Sequence, residues 1–162
     1  RRSAGESYRD AETGLVFPPR VGEYMKTRVC LNQDPVFGTK IRYENEAGDC
    51  ADVYLYALDS LGSPVGDAAF ERHFQETRDS ILNLPKQTRL VKDVAAKSMP
   101  DAEAMPHAAL FRIRGRDEEF DSLLFMALFH GRVVKVRLSA SDDGDLPESA
   151  FEFLNEIAAK VR

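Results

Sequence analysis

The chain has 162 residues, 43% of them hydrophobic and 30% charged, with a formal net charge of −5. That length suits one domain with a real core, and the acidic balance argues against nucleic acid as the main partner, since phosphate binding needs a basic surface. No apolar run approaches the roughly 20 residues of a membrane-spanning helix.

Residues 1–14 are polar and read as a flexible N-terminal arm or a short edge element, leaving 15–162 as a single globular domain. Leu15–Pro19 (LVFPP) is an apolar plug whose prolines suit an edge or a turn. Tyr24–Asn32 then alternates, with Met25, Thr27, Val29 and Leu31 on one face and Lys26, Arg28 and Cys30 on the other. Turn chemistry at Asp34-Pro35 and Gly38 separates it from Thr39–Glu44, where Ile41 and Tyr43 oppose Lys40 and Arg42. After a turn over Asn45–Asp49, Ala51–Leu58 sets Val53, Leu55 and Ala57 against Tyr54 and Tyr56.

Leu61–Gly66 is a loop, and Asp67 is placed to cap the helix that follows. Phe70, Phe74, Thr77, Ile81 and Leu84 fall on one helical stripe, which Pro85 ends. Gln87–Ser98 fits a helix or a strand and is read as a strand, followed by a loop over Met99–Pro106. His107–Gly115 is a strand with Ala109, Phe111 and Ile113 opposite Leu110, Arg112 and Arg114. Phe120–Leu138 carries the strongest signal. An unbroken apolar run to Phe129 implies a strand covered on both faces. His130-Gly131 breaks that run, and alternation over Val133–Leu138 implies a half-exposed return strand. Pro147 suits the first turn of a last helix whose apolar side holds Phe151, Leu154, Ile157, Ala158 and Val161.

The expected fold is therefore α+β: a mainly antiparallel, twisted sheet of about six or seven strands with two helices packed on it, like an α/β/α sandwich. Aligning the strand faces gathers Lys26, Arg28, Lys40, Arg42, Tyr54, Tyr56, Arg112, Arg114, Lys135 and Arg137 opposite the core. Arginine forks onto carboxylate or phosphate, and tyrosine offers a flat face with a hydroxyl. Lys40, Arg42, Tyr54, Tyr56, Arg112, Lys135 and Arg137 are accordingly the candidate ligand-binding residues, for an anionic small molecule or an acidic protein surface. The competing reading is a solvated, aggregation-resistant sheet face.

Other chemistry has little support. His73 and Glu76 stand three apart on the predicted helix with no third metal ligand in evidence, so His73 is read as reaching solvent. His130 is explained by its turn, and His107 lies in a loop. The acidic Ser141–Asp145 loop lacks the spacing of a dedicated calcium site. Nothing brings Cys30 or Cys50 to a histidine. On strands one and three of a meander these cysteines lie roughly 9–10 Å apart, beyond the roughly 7 Å a disulfide tolerates, though Cys50 sits at a loop end where a bend back leaves a bridge open. No catalytic residue, metal or cofactor is expected.

Three passages carry a resemblance: FPPRVGEY (Phe17–Tyr24), IRYENEAGDCADVYLYALD (Ile41–Asp59) and GRVVKVRLS (Gly131–Ser139). They resemble a group of uncharacterised, generally exported bacterial proteins. The group shows an FP…G.Y opening, then IRY, VYVY and a late G..VKVR strand. The strand–helix order is also similar to the PsbP-like α/β/α sandwich. The resemblance implies export to the periplasm, with the start at Arg1-Arg2-Ser3 read as following a removed signal peptide, and it implies no cofactor. The leading expectation is a non-enzymatic binding or accessory module. Two alternatives are a small hydrolase or transferase with a cleft near Tyr54, Tyr56 and Arg42, and a subunit of an envelope assembly.

Overall fold

The structure, a computed structural model, describes residues 5–83, 91–100, 103, 105–115, 117–141 and 144–162. Its strands are β1 (Tyr8–Arg9), β2 (Val16–Phe17), β3 (Arg20–Val21), β4 (Tyr24–Leu31), β5 (Thr39–Glu44), β6 (Cys50–Tyr56), β7 (Val91–Lys97), β8 (Ala108–Gly115), β9 (Glu119–Phe129) and β10 (Arg132–Ser139); helix α1 spans Asp67–Leu82 and α2 spans Glu148–Lys160. Eight strands form one antiparallel sheet in the order β3-β4-β5-β6-β10-β9-β8-β7, and β1 and β2 form a small separate pair. The α+β class holds, with slightly more strands than expected.

Two local meanders build the sheet. Strands β3 to β6 follow one another, as do β7 to β10, and the last strands of the two runs, β6 and β10, pair antiparallel at the centre. His130-Gly131 makes a two-residue turn in which both residues adopt left-handed φ angles, of 49° and 72°. Two such residues in succession match the twist of the flanking strands, which is why the break in the apolar run marks the hairpin. The return strand β10 lies between β6 and β9, and its alternation shows as fully buried Val134, Val136 and Leu138 opposite partly exposed Lys135 and Arg137.

Both faces of the sheet are covered. Helix α2 packs Phe153, Leu154 and Ile157 against Ile41, Tyr43, Val53, Val136 and Leu138. On the opposite face, α1 packs Phe70, Phe74 and Ile81 against Phe111, Ile113, Leu124, Met126 and Val133. The stripe Phe70–Phe74–Ile81 was visible in the sequence; Leu84 lies outside the described residues. Asp67 is the first helical residue and not the cap, which falls on Gly66 without a side-chain hydrogen bond. The strand read into 87–98 is present over Val91–Lys97.

Near the N-terminus, Tyr8 is buried and stands opposite Phe17 where β1 and β2 pair in their own small sheet. A bulge between Lys26 and Arg28 breaks the alternation of β4. Lys26 is consequently turned onto the α2 side and buried, its ammonium donating to the Phe17 carbonyl at 3.3 Å and to the Glu6 carbonyl. Met25 and Leu31, expected in the core, are 49% and 62% exposed.

Candidate functional site

Strand register fixes what shares the α1-side face. Lys135 stands opposite Tyr54, which stands opposite Lys40. One step along, Arg137, Asp52, Arg42 and Arg28 form a second row across β10, β6, β5 and β4. Tyr56 continues the β6 column beyond Tyr54. The central expectation therefore stands as geometry: Lys40, Arg42, Tyr54, Tyr56, Lys135 and Arg137 project from one wall, beside α1 (which covers the β7–β10 part of that wall).

Arg112 and Arg114 do not join them. They share the parity of Leu110, which packs in the α2-side core, so both leave the other wall. Arg112 there donates to Glu119 at 2.8 Å and to Asp121 and Asp145 at 2.9 Å, with Lys97 also on Asp121 at 3.0 Å. Lys26 leaves the basic face through the bulge. The two departures have different causes, the bulge for Lys26 and the choice of wall for Arg112 and Arg114. With both faces of the sheet covered, polarity alone does not say which wall a given strand turns its basic residues to.

The remaining cations divide by partner. Arg42 forks onto Asp52 with two hydrogen bonds of 2.8 Å, and Lys40 pairs with the same carboxylate at 3.3 Å. Burial alone would push the Asp52 carboxyl up, but Arg42 and Lys40 hold it below the usual carboxylate range. This triad also relieves the like-charge pairing of Arg28 with Arg42 across β4 and β5. It leaves Arg42 and Lys40 largely spoken for.

Lys135 and Arg137 differ. Neither has a carboxylate partner among the described residues. The Lys135 ammonium lies 4.6 Å from the Tyr54 ring centroid and 5.5 Å from that of Tyr56. Cation–π contact of this kind returns roughly 0.5–1 kcal/mol at exposed sites, and more when desolvated. Arg137 donates from Nη2 to Ser122 Oγ at 2.9 Å, while its Nε is buried without an acceptor. Burial pulls both below their ordinary pKa values, and their mutual repulsion lowers Lys135 further. A desolvated donor without a partner is a net cost to the fold. Arg137→Met should therefore raise unfolding stability by about 1 kcal/mol, because the apolar replacement removes an unsatisfied donor and keeps most of the packing. The check is a higher urea midpoint at unchanged slope; a lower midpoint would show that the Ser122 hydrogen bond outweighs the buried charge.

Helix α1 brings in a residue the sequence reading had sent to solvent. His73 Nε2 lies 2.5 Å from Tyr56 Oη, with the rings edge to face at 5.6 Å between centroids. Burial, and then the charge of Lys135, hold this imidazole below its ordinary pKa, with Glu76 opposing. Burial likewise keeps the Tyr56 phenol protonated well above its usual range. A cleft of about 380 Å³ opens at this pair, lined among others by Val36, Leu58, Arg72 and Glu76. His73 was not legible because its contact depends on where α1 crosses the sheet.

Other candidates resolve structurally. His107 Nε2 is 2.6 Å from Glu71 and packs edge-on against Phe70 and Phe74, helping to seat α1. It lies at a separate, mainly apolar cavity of about 330 Å³ that none of the basic-face residues lines. Cys30 and Cys50 are free thiols on β4 and β6, and burial pushes the Cys50 thiol up, away from the reactive thiolate. No group of three or more metal-ligating side chains occurs among the described residues, and Asp142 and Asp143 of the acidic loop lie outside them. No family model, curated protein or solved structure matches the chain.

Proposed function

We propose that the protein is a non-enzymatic binding module that holds a small oxyanion on the α1-side face, between Lys135 and Arg137. The observation that carries this reading is the pair itself: two adjacent, half-buried cations that form no ion pair among the described residues, Arg137 facing only an Asp52 already held by Arg42 and Lys40, next to two tyrosine rings. A protein that needed only a stable sheet would gain by replacing them with apolar residues. Phosphate, sulfate and carboxylate groups accept from both an ammonium and a guanidinium. The partial burial of both cations favours a small molecule. A flat acidic protein surface would meet the exposed Arg28 first, and then Lys40 and Arg42, which are already engaged by Asp52. Export to the periplasm and a place at the envelope belong to the same proposal. They rest on the motif resemblance, and co-fractionation of the natural protein with periplasmic markers tests them.

The chain contains five tyrosines and no tryptophan, so intrinsic emission is tyrosine emission, and a change on adding an anion that is lost in Tyr54→Phe or Tyr56→Phe reports on the site. Titration with sulfate, phosphate and citrate should give a saturable change in emission that weakens with salt. Lys135→Gln combined with Arg137→Gln should weaken binding by at least about tenfold, since a hydrogen bond to a charged group contributes roughly 1.5–3 kcal/mol. Arg112→Gln, on the opposite wall, should leave it unchanged. No response to any of these anions would reject the proposal. A hydrolase or transferase is the second reading, now narrowed to the Tyr56–His73 pair, where a neutral imidazole faces a phenol. Turnover of generic ester, phosphate or glycoside substrates that is lost in Tyr56→Phe would favour it.

A further inference from the structure

The anion reading leaves the Tyr56–His73 contact without a purpose, although the same Tyr56 ring also lies against the Lys135 ammonium. Resting on that reading, we infer that His73 is a third arm of the site and takes up a proton from solvent when an oxyanion binds beside Lys135. Tyr56 is the shared element. Its ring carries the Lys135 ammonium 5.5 Å from the centroid, and its hydroxyl meets His73 Nε2 at 2.5 Å.

The charges around His73 set its response. From the sheet it faces Lys135 on β10, with Arg137 beyond, and the uncharged Tyr56 on β6. On its own helix stand Arg72 and Glu76, both at the cleft. Burial first, and then the charge of Lys135 against that of Glu76, disfavour an imidazolium when no anion is bound. An oxyanion between Lys135 and Arg137 reverses that balance. It cancels the repelling charge of Lys135 and supplies an attracting one beside it.

The hydrogen bond also adjusts. In the neutral pair one proton lies between Tyr56 Oη and His73 Nε2. Once the imidazole is protonated, Nε2–H must donate to Tyr56 Oη. The phenol hydrogen is then released for another acceptor, and an oxyanion provides one. No bond other than to the proton is made or broken, and the proton comes from water.

Linkage fixes the sign. If the bound form has the higher histidine pKa, affinity rises as pH falls, by at most about tenfold per pH unit between the free and bound pKa values, and levels off outside that window. Sulfate is the suitable probe because it does not itself titrate near neutrality. Sulfate affinity should be measured by tyrosine fluorescence from about pH 5 to 8, the range in which histidine changes charge. Wild type should bind more tightly at the acid end, and His73→Gln should bind weakly with a flat profile. The chain has three histidines, so the His73 ring can also be followed by NMR in the unmutated protein, and its pKa should rise on adding sulfate. Saturable binding with the same pH profile in wild type and His73→Gln, and no sulfate effect on the His73 titration, would overturn the inference while leaving the anion site intact. No sulfate binding at any pH would overturn both.

Discussion

Phe153→Ala should lower the unfolding free energy by about 4 kcal/mol, within the roughly 3–5 kcal/mol typical of a buried phenylalanine cut back to alanine. Phe153 is fully buried where α2 meets the sheet, its ring 5.1 Å from the ring of Tyr24 and 5.2 Å from that of Tyr43. Both tyrosines are themselves fully buried, on β4 and β5. Removing the phenyl ring loses transfer free energy and two aromatic contacts, and it leaves a cavity that rigid strands cannot collapse to fill. For a domain of this length the midpoint should fall by roughly 8–16 °C. The affinity of the remaining folded molecules for an anion should not change, because α2 lies on the far side of the sheet from Lys135. A loss below about 1.5 kcal/mol would mean that the aromatic cluster repacks.

Asp121→Ala should cost about 3 kcal/mol. Its carboxylate is 3% exposed and receives Arg112 at 2.9 Å, Lys97 at 3.0 Å and the Leu146 amide at 3.3 Å. Truncation strands cations that had been compensated, and breaking such a pair costs roughly 3–5 kcal/mol. The lower end applies because Lys97 is 37% exposed and Arg112 retains Glu119. Acid titration gives a second readout. Burial alone would raise the Asp121 carboxyl, but Arg112 and Lys97 hold it below its ordinary value. Its contribution is therefore complete above the normal carboxylate range and is lost as pH falls through the depressed folded value. The wild-type and Asp121→Ala stability curves should converge at the acid end. Parallel curves down to the acid limit would count against the ion network as the cause.

What the sequence made legible was local. The apolar run ending at Phe129, the His130-Gly131 turn and the alternation after it place β9 and β10 within a residue or two, because neighbours in sequence make those contacts. The strands holding Lys40, Arg42, Tyr54 and Tyr56 were equally clear, since β5 and β6 are joined by a short turn that fixes their register. Three features were not legible. Arg112 was put on the wrong wall because its meander joins the other through α1 and a distant strand pairing. Lys26 was put on the wrong face because one bulged residue inverts the parity of β4. The bond between His73 and Tyr56 needs the angle at which a helix crosses a sheet, and the period-3.6 pattern of α1 says only which stripe is buried.

The pairing of β6 with β10 joins residues 50–56 to residues 133–139, with α1, β7, β8 and β9 among the described residues between them. Such a long closure is slow and entropically costly compared with the hairpins on either side. Tyr54 and Tyr56 belong to one half of this join, and Lys135 and Arg137 to the other. A guest held by all four acts as a clasp, recognising the molecule only when its halves are fastened and leaving the outer strands β3 and β7 to fray as before. Amide hydrogens along β6 and β10 should therefore exchange more slowly in its presence.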